Sequence, residues 1–365
     1  MKFFPIVVII PSLNPDNKLI EVVNNLFAAG FSDLLIVDDG SRQDCQKIFS
    51  ELTKKSGCVV LHHEQNKGKG RALKTAFSYY LENYDPEKYY GIVTADADGQ
   101  HLPKDIFRSA KALMAAKERA IVNALILGTR DFNEEQVPFK SRNGNKITTL
   151  VFQLLYGKRI NDTQTGLRAI SNNFLRKCLS ISGERFEYEI NMLILAVLQE
   201  VYIEEVIIET VYFENNRETH FRPFRDSAKI YGVMFASFIR FTCSGLVSTL
   251  VDQGLFALFQ KLVFISLDST FSIPLSTLLA RICSSYLNYS LNRSLVFNAQ
   301  KTHKNALTRY YLLCVLQMAV SALLVTVIHI ITTWNSSLIK IIVDLILFFI
   351  SYRIQKSWVF REKIK

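Results

Sequence analysis

The sequence predicts an α/β domain built on a mostly parallel sheet, followed by an all-α membrane domain of four helices. Three observations carry that prediction. Up to about residue 225, short apolar runs alternate with helical patterns; after about residue 230, four long apolar segments follow one another. Acidic pairs close two of the early runs, and in open sheets of this kind ligands sit beyond the carboxyl ends of the strands.

The strand-like runs are IVVIIP, LLIVDD, CVVLHH, YGIVTAD and NALILGTR. The first lies in MKFFPIVVIIPSLNP, which Pro5 and Pro11 interrupt and which lacks a small-residue cleavage site. It reads as a buried strand ending at Pro11, not as a signal peptide. Between the runs lie helix-like stretches such as DNKLIEVVNNLFAAG, with Gly30 as its stop, and GRALKTAFSYYLENY. The alternation argues for a sheet with helices on both faces.

A chain of 365 residues is long enough for two domains. Lys and Arg number 43 against 33 Asp and Glu, a net charge of +10, which suits an anionic partner: a phosphate-rich ligand, a nucleic acid or an anionic membrane face. The six cysteines are scattered and form no Cys-x-x-Cys pair, so they read as reduced, small apolar residues.

The late apolar segments cover roughly 237–262, 272–291, 309–333 and 336–352, each near the ~20 residues a helix needs to cross a bilayer. Arg240, Asp252, Arg281 and Asp344 fall within or at the ends of them. Charge at membrane depth is costly, so Asp252 and Asp344 are expected to pair with Arg281 or another base. The connection after the second segment carries Arg293, Lys301, Lys304 and Arg309; the tail carries Arg353, Lys356, Arg361, Lys363 and Lys365. The other two connections, 263–271 and 334–337, carry no Lys or Arg. The positive-inside rule then puts the N-terminal domain and the C-terminus in the cytoplasm. A weak repeat relates SYLNYSLNRSLVF (285–297) to FFISYRIQKSWVF (348–360), and Arg240-Phe241 to Arg309-Tyr310, as in a duplicated two-helix unit.

The chemistry-bearing residues cluster at strand ends. In TADADGQH, Asp96 and Asp98 are close enough to reach one ion, and their hard oxygens suit Mg²⁺ or Mn²⁺. Gly99 permits a tight turn; Gln100 and His101 add polar contacts. In VDDGS, Asp38 can accept from a base or ribose, and Ser41 is a candidate N-cap. NKGKGRALKTAF sets Lys67, Lys69 and Arg71 among Gly68 and Gly70 at a helix start, a pattern suited to a diphosphate although it is not a P-loop. The segment HFRPFRDSAKIYGVMF (220–235) reads as an interfacial helix.

In order, VVIIPSLNP, VDDGS, NKGKGRALKTAF, ADADGQH, LGTR, SRNGNK, DTQTGLRAI and HFRPFRD resemble the family 2 glycosyltransferases over residues 5–230. The closer likeness is to polyprenyl-phosphate sugar transferases of the dolichol-phosphate mannose synthase type. That resemblance implies a GT-A, Rossmann-like nucleotide-diphospho-sugar transferase domain over 1–219, a juxtamembrane segment over 220–235 and a membrane domain over 236–365. SGLVSTLVDQGLF, ARICSSYLNYSLNRSLVF and SYRIQKSWVF resemble the GtrA family of four-span membrane proteins. The resemblance further implies that Pro11, Asn14 and Asp38 hold the nucleotide. Asp96, Asp98 and Gln100 would bind the metal, and Arg130 and Arg142 would line the phosphates. His220, Arg222 and Arg225 would meet the lipid phosphate. Asn14 is followed by Pro15 where the family often has Glu, which bears on the nucleotide contacts.

The reaction so implied is metal-dependent, inverting transfer of a hexose from a nucleotide-diphosphate sugar, UDP-linked by preference, to undecaprenyl phosphate at the cytoplasmic face of the inner membrane. Its product would serve cell-envelope glycans. Asp98 and Arg130 are the expected catalytic residues. A phosphate acceptor is already largely ionised at neutral pH, so a strong base is less needed. No nucleic-acid partner is expected, and a homo-oligomer is compatible with the sequence. The alternative is a membrane half that binds or translocates the lipid-linked sugar, with the first domain acting as a nucleotide-sugar binding module. A processive synthase is disfavoured, since Trp334 and Trp358 are the only tryptophans and no Gln-x-x-Arg-Trp motif exists.

Overall fold

The computed structural model describes residues 4–132, 139–209, 223–299 and 305–360. The chain divides into two compact units, Met1–Met234 and Phe235–Lys365.

In the first unit the five expected strands form as Ile6–Ser12 (β1), Leu34–Asp38 (β2), Cys58–His62 (β3), Gly91–Thr94 (β4) and Ala124–Arg130 (β5). Arg168–Ser171 (β6) and Tyr202–Ile208 (β7) join them, so that the described residues give a seven-stranded sheet ordered β3-β2-β1-β4-β6-β5-β7. All pairings are parallel except those of β6, which runs antiparallel to both β4 and β5. The reversal follows from where β6 begins. The DTQTG segment leads into it beside the carboxyl end of β4, where Thr94 Oγ1 donates to the Gly166 carbonyl at 2.7 Å. From there the chain can only run back down the sheet.

The helices are Lys18–Ala28 (α1), Gln46–Thr53 (α2), Lys69–Asn83 (α3), Pro103–Glu118 (α4), Phe139–Tyr156 (α5), Asn172–Cys178 (α6) and Glu187–Leu198 (α7). Gly30, one residue beyond the C-cap Ala29, has φ 102°, so the expected helix stop rests on glycine's access to the left-handed region. Side chains alternate across a strand. Ile6, Val8 and Ile10 of β1 therefore share a core with Leu19, Val23 and Leu26 of α1 and with Ile106, Ala110 and Leu113 of α4. Val7 and Ile9 are equally buried and face the other layer, where α3 packs on β1 and β2 through Ala72, Leu73, Ala76 and Phe77. The sheet thus has helices on both faces, as the alternation predicts. Cys45, Cys58 and Cys178 are buried and free, and burial pushes the Cys58 thiol up to about 11.

The segment 220–235 does not form a helix of its own. Residues 220–222 lie outside the described residues, and from Pro223 the chain is already in Pro223–Leu258 (α8), one uninterrupted helix. Its glycines, Gly232, Gly245 and Gly254, do not break the backbone ladder; Ser and Thr hydroxyls fold back onto carbonyls one turn earlier, as Ser248 Oγ does on Ser244 O at 2.8 Å.

The second unit continues with Ser269–Leu291 (α9), Ala306–Thr332 (α10) and Ser336–Ile354 (α11). Among the described residues two stretches, Arg225–Val263 and Ala306–Thr332, rather than the four expected, are long and apolar enough to cross a bilayer by length and composition. The unit buries polar groups beside its apolar clusters and exposes many large apolar side chains. Ser244, Ser248, Asp252, Ser284, Asn292, Ser351 and Gln355 are buried, whereas Leu250, Leu278, Leu323, Ile330, Ile341 and Leu345 are exposed. So large an exposed apolar surface suits contact with hydrocarbon, where buried hydroxyls and amides bond one another between helices. The expected ion pairs form: Arg281 Nη2 lies 3.3 Å from Asp252, and Lys340 Nζ lies 2.7 Å from Asp344.

The repeat has a physical counterpart. Arg240 Nη1 donates to the Leu295 carbonyl at 3.3 Å, and Arg309 Nη1 to the Trp358 carbonyl at 2.9 Å, an equivalent contact in each half. Matching positions meet where the halves join. Asn292 Nδ2 donates to Gln355 Oε1 at 3.0 Å, and the rings of Phe297 and Phe360 stack at 5.2 Å. Both second helices end in a short π-helical turn, Asn292–Val296 and Gln355–Val359.

Candidate active site

The strand order reverses at β1 and β4, and Asn14 and the segment Asp96–Gln100 follow the carboxyl ends of these two strands. Asp96 follows β4. Its Oδ1 lies 2.7 Å from Lys69 Nζ, which also lies 3.1 Å from Glu189 Oε1 on α7. Burial alone would raise the Asp96 carboxyl, but the Lys69 charge overrides it, helped by Arg130, and holds it at about 2. His101 Nδ1 accepts the Asp96 N–H at 3.2 Å. Asp98, one residue beyond, behaves oppositely: desolvation and then the Asp96 charge raise its carboxyl above the usual range. Its Oδ1 accepts the Gln100 N–H at 3.0 Å in the turn that Gly99 makes at φ 76°. Two neighbouring carboxylates pushed in opposite directions leave negative charge unbalanced at the mouth of the site.

The donor set fits a divalent ion. Among the described residues no group of three His, Cys, Asp or Glu side chains surrounds one point. Asp96 and Asp98 supply two hard oxygens, and magnesium or manganese ordinarily completes such a shell with water and substrate phosphate. The place beside Asp96 already accommodates a cation, the Lys69 ammonium.

The glycine-rich loop is built differently from expectation. Lys67 and Gly68 give their N–H groups to Asp39, at 3.0 and 2.7 Å, and Arg71 N–H goes to the Glu184 carbonyl at 3.0 Å. Gly68 has φ 102°, and a Cβ there would meet Glu184 O at 2.4 Å; one at Gly70 would meet Tyr188 Cβ at 2.6 Å. The loop is therefore pressed flat against the start of α7. These backbone donors are committed inside the protein, and Lys69 is the basic side chain that reaches the carboxylates.

Asp39 is the clamp. It is 3% exposed and also takes His63 Nδ1 at 2.7 Å. Asp39→Ala strands the buried Gly68 N–H and the partly buried Lys67 N–H, and we expect it to lower stability by roughly 1–4 kcal/mol, with Asp39→Asn milder because one acceptor oxygen remains. Thermal unfolding of the solubilised full chain checks this; equal melting of wild type and Asp39→Ala would remove the clamp from the argument.

Asp38 is not open to a ligand. It is 1% exposed, with Oδ1 taking the Ser41 N–H at 2.8 Å and Oδ2 taking Gln46 Nε2 and His62 Nδ1, each at 3.0 Å. Burial would raise its carboxyl, but these bonds together lower it. Ser41 is not a helix N-cap: its Oγ accepts the Asn14 N–H at 2.8 Å, and the next turn, Gln43–Cys45, starts after Arg42. Asn14, at φ 49°, returns the bond through Oδ1 to Arg42 N–H at 2.9 Å. Asparagine tolerates that left-handed conformation. Pro11 lies in β1 and is half-buried. Together Asn14, Asp38 and Ser41 knit two strand-end loops into one wall.

Arg130, at the end of β5, is gripped by Asp162: Nε to Oδ2 at 2.6 Å and Nη2 to Oδ1 at 3.0 Å, with the Asp162 side chain fully buried. The arginine braces the DTQTG loop while its charge still lowers the Asp96 carboxyl. Arg142 lies on α5 and is half-buried. Arg225 lies in the first turn of α8 and is exposed, whereas His220 and Arg222 fall outside the described residues.

The sequence reading missed Asp39, Asp162, Gly166, Arg168 and Glu189. Arg168 is 1% exposed and donates to the Thr165 carbonyl at 3.0 Å and the Glu189 carbonyl at 2.7 Å, fastening the DTQTG loop to α7. Arg168 and Glu189 each stand between apolar neighbours in sequence, a usable sign of an internal partner, whereas Asp39 and Asp162 stand among polar residues and give no such sign.

Comparison with known proteins agrees with this arrangement. Residues 7–176 match glycosyl transferase family 2, and residues 240–360 match the GtrA/DPMS transmembrane domain. A UDP-N-acetylglucosamine–dolichyl-phosphate N-acetylglucosaminyltransferase of Methanococcus voltae is 33% identical over 229 residues, covering 57% of this chain and 86% of its own. An uncharacterised protein of Methanocaldococcus jannaschii is 34% identical over 212 residues, covering 57% and 82%. Among solved structures, glucosyl-3-phosphoglycerate synthase of Mycobacterium tuberculosis aligns over 63% of this chain and 78% of its own, at 17% identity and a TM-score of 0.48. The fold and the site define a membrane-associated glycosyltransferase. The chain belongs to glycosyl transferase family 2 and carries a GtrA/DPMS transmembrane domain behind the catalytic one.

Proposed function

We propose that the protein transfers a sugar from a nucleotide-diphosphate sugar, UDP-linked by preference, to a polyprenyl phosphate, undecaprenyl phosphate in the first instance. One observation carries the reading. The paired carboxylates Asp96 and Asp98 stand on the same chain as an apolar-skinned helical unit, so a water-borne donor and a bilayer-borne acceptor are both within the protein's reach. The dolichyl-phosphate transferase among its relatives supports the acceptor class.

Asp96 and Asp98, with Gln100 beside them, would hold Mg²⁺ or Mn²⁺, which when bound supplies Lewis-acid stabilisation of the leaving diphosphate. Lys69 and Arg130 add fixed positive charge at the same place, and Lys67 and Arg142 extend it along the phosphates. Pro11 and the Asn14–Ser41 wall seat the nucleotide through loop backbone, with Asp38 holding that wall from within. Arg225, with His220 and Arg222, meets the acceptor phosphate. The acceptor oxygen attacks the anomeric carbon from the side opposite the diphosphate, so the configuration inverts. The domains divide as 1–219, 220–235 and 236–365. α8 to α11 cross the inner membrane as four spans, with the catalytic domain and C-terminus cytoplasmic. The product feeds cell-envelope glycans.

Membranes containing the protein, given a panel of nucleotide sugars and undecaprenyl phosphate, are expected to form a chloroform-soluble sugar lipid that EDTA abolishes. Sugar uptake into the lipid phase that is indifferent to EDTA would remove the metal. No lipid product with any donor, alongside retained nucleotide-sugar binding, would favour the second reading, in which the GtrA-like half handles a lipid-linked sugar made elsewhere.

A further inference from the structure

We propose that Lys69 is a resident counter-cation that occupies the Asp96 side of the site until a diphosphate arrives, so that the divalent ion and the donor load together. The proposal rests on the metal reading above. Its geometry is independent of it.

Lys69 is the first residue of α3, and Gly68 and Gly70 on either side of it pack closely on Glu184, Arg185 and Tyr188, where α7 begins. Nζ ends between two carboxylates, 2.7 Å from Asp96 and 3.1 Å from Glu189, with the Phe186 ring centroid 5.9 Å away. The two carboxylates are not equivalent. The Glu189 side chain is 8% exposed, and its backbone carbonyl is tied to Arg168 at 2.7 Å; the Asp96 side chain is 31% exposed. A ligand can compete for Asp96 and cannot reach Glu189. Glu189 is therefore the anchor of the ammonium and Asp96 its exchangeable partner.

A divalent ion approaching Asp96 alone meets an ammonium already on that carboxylate, and the two cations repel at short range. A diphosphate removes the conflict. It gives Lys69 a new anionic partner while the ammonium stays on Glu189, and it supplies phosphate oxygens to the metal. Metal and diphosphate then bind with positive coupling, which by linkage is the same in both directions. Glu189 is a positioning residue in this scheme; it touches neither metal nor donor.

The test is Mn²⁺ binding to the detergent-solubilised full chain, followed by electron paramagnetic resonance of the free ion, with and without UDP. Wild type is expected to bind Mn²⁺ weakly alone and at least ~10-fold more tightly with UDP. Lys69→Met is expected to bind Mn²⁺ alone at least ~10-fold more tightly than wild type, with little further gain from UDP. Lys69→Gln, closer in length and hydrogen bonding, reads the same effect if the methionine variant does not fold, and Lys69→Arg should keep the wild-type coupling. If Lys69→Met or Lys69→Gln binds Mn²⁺ alone no better than wild type, while wild type with UDP binds tightly, the counter-cation role is overturned and the metal reading stands. If wild type with UDP takes up no Mn²⁺, both fall.

Discussion

Asp98→Ala is expected to reduce sugar transfer by at least ~10²-fold, the scale seen when one electrostatic contact to a developing anion is removed. Asp98 is the carboxylate that the folded protein leaves uncompensated. Asp96 has Lys69 at 2.7 Å and is held well below the usual range, whereas Asp98 is pushed up by desolvation first and by the Asp96 charge second. An incoming cation gains most from the group whose repulsion it relieves. Asp98 is exposed and makes its hydrogen bond to Gln100 N–H within its own turn, so its removal leaves the core untouched. The variant should melt like wild type, stay with the membrane and lose Mn²⁺ binding along with turnover. Asp98→Asn, which keeps the shape and drops the charge, should be as poor. Undiminished turnover in either variant would refute the metal role.

Gly166→Ala is expected to lower transfer by about 10²-fold with the fold intact, the scale of a misplacement of roughly 1 Å at a reacting centre. A Cβ at Gly166 would stand 2.3 Å from Asp96 Oδ2 and 2.9 Å from its Oδ1 and Cγ. Something must move, and the movable party is the carboxylate itself, since the Gly166 carbonyl is held by Thr94 and the preceding Thr165 carbonyl by Arg168. The Lys69 pair should weaken as Asp96 turns. Gly232→Ala is the control: nothing lies within 4 Å of that Cβ, and the position is inside a helix. Full activity in Gly166→Ala would mean that the Asp96 position tolerates displacement, and the site would need redrawing.

Much of the first unit was legible because its signals are local. β1 to β5 are apolar runs bounded by turn residues, and Gly30 and Gly99 adopt the left-handed backbone that their places demand. β6 and β7 were not legible. β6 is four residues opening on the buried Arg168, and β7 carries Glu204 and Glu205 through its middle. Their charges are held by tertiary partners that the local pattern does not show: Arg168 donates to the Thr165 and Glu189 carbonyls, and Glu205 accepts from Thr129 and Asn161. In the second unit the repeat was legible, but not that Asn292 and Gln355 would bond to one another.

The same division runs through the site. The order of motifs along the chain determined the family, the strand ends that bear the acids and the membrane-bound character, since each depends on residue type and spacing over short distances. The partners of those residues were decided by the tertiary structure alone. Asp38 turned inward to Ser41, Gln46 and His62, Asp39 took the backbone of the basic loop, Asp162 took the Arg130 fork, and Lys69 came to rest between Asp96 and Glu189. The physical reason is that a buried charge binds whichever opposite charge or dipole the fold brings within about 3 Å, and that distance is set by packing between segments far apart in sequence.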